Sequence, residues 1–252
     1  MGSIAPDVLS VLAAFSPAFT SATFARAQLL AVACILCTGR RTISNLLRTV
    51  GAVTHGDPSS YHRVLSCAEW SGLQLAALLC RLVLHFFWPS GVVPLVGDDT
   101  VTEHPGDKVH GKACHRDAVR SSHNYTAFRW GHQWVVLCVL VRLPFTSRAW
   151  ALPVLVALYR SPADNKARGR PHKTPAQLMQ LLLRIVLRWL PDRTFSFAGD
   201  TGFGSHEMAL FAGKTKGRLV RISKFPAIPW PKENRTVKQT LEGGIRRLTA
   251  LE

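Results

Sequence analysis

The sequence predicts an α/β fold, a mixed sheet built in the order β-β-β-α-β-α-β and preceded by an α-helical N-terminal region. Residues 1–90 hold helix-length apolar runs, and from 91 onward the pattern changes to shorter runs rich in Val and Leu. Two of those runs end on aspartate: Gly91-Val-Val-Pro-Leu-Val-Gly-Asp98-Asp99-Thr100 and Thr194-Phe-Ser-Phe-Ala-Gly-Asp200-Thr201-Gly202. A hairpin and one amphipathic helix lie between them. A right-handed crossover after three antiparallel strands returns the fourth strand to the side of the first.

Each element has a local cause. Ala27–Cys37 is an apolar helix, and Thr42–Val50 is a short one with Thr42 as N-cap and Gly51 just past its end. Gly56-Asp57-Pro58 is a turn, after which Ser59 or Ser60 caps a helix reaching toward Trp70. Leu73–Trp88 is a further helix stopped by Pro89. The segment 40–70 therefore reads as helix, turn, helix, with Arg40, Arg41, Arg48, His62 and Arg63 on its polar side. Such a module suits contact with DNA.

In the second half, Pro94 fits its strand only at the beginning. His132–Leu143 is a strong strand, and Trp150–Tyr159 pairs with it as a hairpin, Pro153 marking an outer position. Ser161–Lys173 is polar and basic and reads as a mobile loop, in which Lys166, Arg168, Arg170 and Lys173 suit phosphate contacts. Thr174 caps the next helix, Pro175 takes its first position, and Pro191 stops it. Gln177, Gln180, Arg184 and Arg188 form its single polar stripe, so the rest of it lies against a sheet. The strand Thr194–Gly199, the short helix Ser205–Phe211 and the strand Gly217–Lys224 complete the order. These features divide the chain into a helical region at 1–90, a sheet core at 91–225 and an incomplete C-terminal segment at 226–252.

Composition limits the partners. The net charge is +16, with 31 Lys and Arg against 15 Asp and Glu spread along the 252 residues. A large anionic partner follows, nucleic acid ahead of an acidic membrane surface. Six cysteines give no disulfide spacing and read as reduced, buried thiols in a cytoplasmic protein. Cys34-Ile-Leu-Cys37 lacks a second pair and sits among apolar residues, so helix core explains it better than zinc. His110, Cys114, His115 and His123 have no standard zinc spacing. The N-terminus lacks a basic n-region. Of the long apolar runs, one is too short to span a bilayer and the other carries Arg81 and His85, so no membrane association is expected.

The chemistry is in the two aspartate-ended strands. As parallel neighbours they place Asp98 and Asp200 about one strand spacing apart, ~4.8 Å. Carboxylates that close repel unless a divalent cation lies between them. The arrangement is ribonuclease-H-like, with both acids at the strand ends where ligands gather in open α/β sheets. Asp98-Asp99-Thr100 resembles the Asp-x-Thr/Ser that closes the first catalytic strand of DDE transposases of bacterial insertion sequences. Phe197-Ala-Gly-Asp200-Thr-Gly-Phe resembles their second motif. Gly131-His132-Gln-Trp134-Val-Val-Leu and Leu219-Val-Arg221-Ile-Ser-Lys resemble neighbouring strands.

That resemblance covers roughly residues 40–225. It implies an enzyme that cleaves DNA and transfers strands at insertion-sequence ends, using Mg²⁺ or Mn²⁺ held by Asp98, Asp200 and a later glutamate. Strand alternation turns Asp99 to the other face and sets it aside. Glu207 reads as first-turn helix chemistry, which leaves Glu233, Glu242 and Glu252, with glycines beside Glu242. The expectation is an incomplete copy without its third acid. The resemblance further implies element-end and target DNA as partners and self-association, a homodimer at least. The alternative is a non-catalytic basic DNA-binding protein derived from such an enzyme.

Overall fold

The computed structural model describes residues 6–117, 120–200, 202–203 and 205–224. The chain divides into two compact units, one running to Leu82 and one beginning at Val83.

The first unit holds α1 (Pro6–Ala13), α2 (Ser21–Leu36), α3 (Ile43–Thr49), α4 (Pro58–Ser66) and most of α5 (Gly72–Phe87). Side-chain caps start α2, α3 and α4. Thr20 accepts from the Thr23 amide, and Thr42 accepts from the Asn45 amide. The cap of α4 is Asp57 rather than Ser59 or Ser60. Its Oδ1 accepts from the Ser59 amide at 2.7 Å, and Pro58 takes the first turn. That bond lowers the Asp57 carboxyl from its ordinary value. The helix ends at Ser66, short of Trp70, whose indole donates to the Val64 carbonyl at 2.8 Å. Leu29, Leu30, Ala33 and Cys37 from α2 pack with Leu46, Val50, Tyr61 and Val64 from the α3–α4 segment. Cys37 is thus core and Cys34 packs beside it. Cys80 and Cys138 are also buried, and burial pushes Cys80 up to about 11. Cys67 and Cys114 are exposed, against the expectation that all six thiols lie inside.

The second unit is built on a six-stranded mixed sheet. Its elements are β1 (Val93–Glu103), β2 (Ala113–Arg116), β3 (Phe128–Arg142), β4 (Ala149–Tyr159), α6 (Pro162–Ala167), α7 (Pro175–Trp189), β5 (Phe195–Gly199), α8 (His206–Gly213) and β6 (Leu219–Lys224). The strand order is β2-β3-β1-β5-β6, with β4 also on β3. β1 pairs antiparallel with β3 and parallel with β5, as the crossover rule requires. The fold is ribonuclease-H-like, with the expected element order plus β2 and α6.

Prolines set two details. Pro94 is the second residue of β1 and precedes the ladder to β3, which begins at Leu95↔Val139. Pro153 lies on β4, which pairs only with β3, and the register slips beside it between Leu137 and Cys138.

The sheet core is Val93, Leu95, Leu137, Val139, Phe195 and Phe197, each at most 1% exposed. α7 covers this face through Met179, Leu183 and Val186, all fully buried. Its start is over-determined. Thr174 and Gln177 form a reciprocal capping box around Pro175. The expected polar stripe is only partly exposed: Gln177 serves the cap and Gln180 is buried, while Arg184 lies 5.2 Å over the Phe211 ring.

The basic segment 161–173 is a short helix and an ordered turn rather than a loop throughout. Ser161 caps α6, and Asp164 binds Arg160 at 2.9 Å and Arg168 at 3.0 Å. Those bonds, Arg160 first, lower the Asp164 carboxyl from its ordinary value.

Candidate metal centre

β1 and β5 pair in parallel register up to Gly97↔Gly199, and aspartate follows in each: Asp98 midway along β1, which runs on to Glu103 rather than ending there as the sequence suggested, and Asp200 just past the end of β5. Both glycines are needed sterically. A Cβ at Gly199 would lie 2.6 Å from Cβ of Phe203, and one at Gly97 would lie 2.5 Å from Cε of Met179. Phe203 and Met179 are buried, so the small residues let them close over the strand positions that present Asp98 and Asp200.

Three carboxylates converge there. Asp98, Asp99 and Asp200 each offer an oxygen within 4.8 Å of the others. All three are partly buried. Among the described residues this is the one group of His, Cys, Asp or Glu with such convergence. Asp99 lies on the other face from Asp98, as alternation requires, yet its carboxylate reaches the same cluster. Pairing with β5 stops at Gly97, so the β5-facing edge of β1 is open from Asp98 onward. Adjacent side chains from opposite faces can reach round that edge to one point.

Each carboxylate has at least one oxygen held. Oδ1 of Asp98 accepts from the Asp99 amide at 2.9 Å. Oδ1 of Asp200 accepts from the amides of Gly202 (2.9 Å) and Phe203 (3.3 Å), an Asx-type turn that fixes the side chain. Oδ2 of Asp99 accepts from Nε2 of Gln133 on β3. Burial raises the Asp99 carboxyl above its ordinary value, the Asp200 charge adds to this, and the Gln133 bond opposes it. Behind Gln133 stands His115 of β2, buried, its imidazole lowered by burial and pulled back by Gly131 and Gln133. Three hard oxygen donors, partly buried and mutually repelling, are the donor set that a divalent cation such as Mg²⁺ or Mn²⁺ takes.

Gln133 escaped the sequence reading, although a lone amide in a Val- and Leu-rich strand was a usable signal. If it orients Asp99, Gln133→Ala lowers divalent-ion affinity about 10- to 100-fold, the usual cost of removing a ligand's hydrogen-bond partner. Calorimetric titration of Mn²⁺ checks this.

The remaining expected residues lie elsewhere. Glu207 is exposed in the first turn of α8, outside the cluster. Glu233, Glu242 and Glu252 lie outside the described residues. Arg40, Arg48 and Arg63 are exposed in the first unit, while Arg41 is half-buried with Nε donating to the Cys34 carbonyl at 3.0 Å. Lys166, Arg170 and Lys173 are exposed, but Arg168 is engaged with Asp164. His110 contacts Arg160 rather than a metal-ligating partner, and His123 is exposed. No described helix is long and apolar enough to cross a membrane.

A ribonuclease-H-like sheet with acids clustered where its central parallel pairing ends defines a nuclease-type scaffold. The chain belongs to the DDE superfamily endonucleases, whose family model matches residues 14–217. A search of curated proteins gave no match. Among solved structures, the chain is similar to the piggyBac transposase of a synaptic complex with hairpin DNA, with a TM-score of 0.36 and 10% identity. That similarity covers 93% of this chain and 49% of the other, so the chain spans about half the length of that transposase.

Proposed function

We propose that this chain is a DDE-type DNA transposase that cleaves DNA and transfers strands at insertion-sequence ends, with Asp98, Asp99 and Asp200 holding Mg²⁺ or Mn²⁺. The supporting observation is the convergence of three carboxylates, in a member of the DDE superfamily endonucleases, where the pairing of β1 with β5 ends. Asp98 and Asp200 are the acids that match the transposase motifs, and Asp99 supplies a third oxygen beside them.

A bound divalent cation supplies positive charge to the phosphodiester and activates the attacking oxygen. The protein's own groups set the geometry. The Asx turn at Asp200 and the Gln133 amide at Asp99 fix carboxylate orientation before substrate arrives. Phe203 and Met179 pack beneath and keep the two strands in register.

DNA is the partner that the +16 charge fits. Arg40, Arg48 and Arg63 are proposed contacts of the helical unit, and Lys166, Arg170 and Lys173 of the sheet unit. Arg41 and Arg168 have structural engagements and a smaller share. Self-association as a homodimer and a cytoplasmic location accompany this reading.

The test is cleavage of a DNA carrying element ends, in Mn²⁺ and in chelator. The native chain is expected to cut only with the ion, and Asp200→Ala to lose about 100- to 1,000-fold in rate, comparable to deleting a principal electrostatic group of a catalytic site. Cutting by Asp200→Ala at the native rate would refute the assignment.

A further inference from the structure

The face of the sheet that bears Asp98 continues into a row of rings. In the β1–β3 register Asp98 lies opposite Val136, Thr100 opposite Trp134 and Thr102 opposite His132. Paired residues share a face, and residues two apart on a strand share it too. Trp134, His132, Trp130 and Phe128 therefore follow one another away from Asp98. The rings of His132 and Trp134 meet edge-on at 5.7 Å, and His104 joins His132 at 4.5 Å.

The near end of this row packs into the sheet, since Trp134 lies against the cluster of Val96, Val136 and Ala198. The far end does not. Trp130 is 60% exposed and Phe128 67% exposed. Two large rings on one face are costly to leave in water and mark an interaction site. A tryptophan flanked by arginine in an apolar strand would ordinarily be core, and this one is not.

The surroundings select the occupant. The Lys112 ammonium lies 5.9 Å from the Trp130 ring centroid. Phe128 and Trp130 line a cavity of ≈ 600 Å³ together with Lys112, Arg120, Glu103 and Asp107. The mixed charges make a poor channel for phosphates, and Arg129 is engaged with Asp117 at 3.0 Å. What the cavity offers instead is ring faces with a cation beside them, which suits the flat, uncharged faces of nucleobases. From the Asp98 register position to Trp130 the strand runs six residues, ~20 Å.

We propose that Trp130 and Phe128 are a stacking platform for unpaired bases of a DNA strand whose backbone passes the aspartate cluster. The proposal rests on the DNA-cleaving function above and adds that the enzyme grips single-stranded bases beside the cut.

The experiment measures binding of a labelled oligothymidylate and of a duplex of equal length, by anisotropy, in chelator. The native chain, Trp130→Ala, Phe128→Ala and Trp130→Phe are compared. Trp130→Ala is expected to weaken single-strand binding about 10- to 100-fold, with duplex binding little changed. Phe128→Ala is expected to do the same more weakly, and Trp130→Phe to retain most of the affinity. Equal single-strand affinity in all four proteins would overturn the proposal and leave the rings to a protein partner. Equal losses on both DNAs, or no oligothymidylate binding by the native chain, would also overturn it. Mn²⁺ titration of the same proteins reads the metal centre separately. Native-like Mn²⁺ affinity in Trp130→Ala shows that the sheet is intact, whereas no Mn²⁺ binding by any of them counts against the proposed function alone.

Discussion

Gly131→Ala is expected to cost at least about 3 kcal/mol of stability, the upper range for forcing an added methyl into a packed site. Gly131 lies in β3 between Glu103 of β1 and Ala113 of β2. A Cβ there would collide with the Thr102 carbonyl oxygen and come 2.8 Å from its carbon. These are backbone atoms in a ladder, so no rotamer can relieve the clash. The β1–β3 pairing must open at the end nearest Trp130, or the strand must shift. For a chain of this size the melting temperature should fall by about 6–12 °C. Gly39→Ala is the control, since nothing lies within 4 Å of its added methyl. Equal melting temperatures for the two variants would mean that β1 and β3 do not approach as described.

Asp99→Asn should change stability in opposite directions with and without metal. The folded-state carboxyl of Asp99 is raised above its ordinary value of 3.8, by burial first and then by the Asp200 charge. A raised carboxyl contributes stability that is fully present below the unfolded value and is lost as pH rises through the folded one. Without divalent ions, ionising Asp99 is therefore penalised by burial and by the neighbouring Asp200, and asparagine removes that penalty. The variant should melt higher than the native chain at pH 7, and the gap should close as pH falls through the raised value toward 3.8. Saturating Mn²⁺ should reverse the order, because an ion that binds only the folded state stabilises the protein having all three oxygens. Each 1 kcal/mol appears as about 2–4 °C. A variant that melts below the native chain in chelator at neutral pH would contradict this electrostatic account.

Most of the sheet was legible because its signals are local. Thr174-Pro175 announced α7, and the returning strand ending in Gly199-Asp200 announced the pairing of β5 with β1. β2 was not legible: Ala113-Cys-His-Arg116 is four residues with no alternation, and it forms because β3 extends back to Phe128 and needs a partner. α6 was concealed by its charge, although Ser161-Pro162 followed by Asp164 is a helix-start pattern. The site was half legible. Asp98 and Asp200 follow from the aspartate-ended runs, but Asp99 does not: it alternates to the other face, and only the unpaired edge of β1 beyond Gly97 lets both side chains reach one point. That β5 stops one residue before Asp200 is a tertiary fact, as is the reach of Gln133 from the neighbouring strand. Trp130 shows the same limit, since composition cannot tell a core ring from one at a sheet's uncovered end.

Titration of Mn²⁺ by calorimetry into the native chain and into Asp98→Ala, Asp99→Ala and Asp200→Ala tests the central claim most directly. The account predicts saturable binding by the native chain and its loss or severe weakening in each variant, with the folds retained. Binding that survives all three substitutions unchanged, or no binding by the native chain, would contradict a metal centre where the β1–β5 pairing ends.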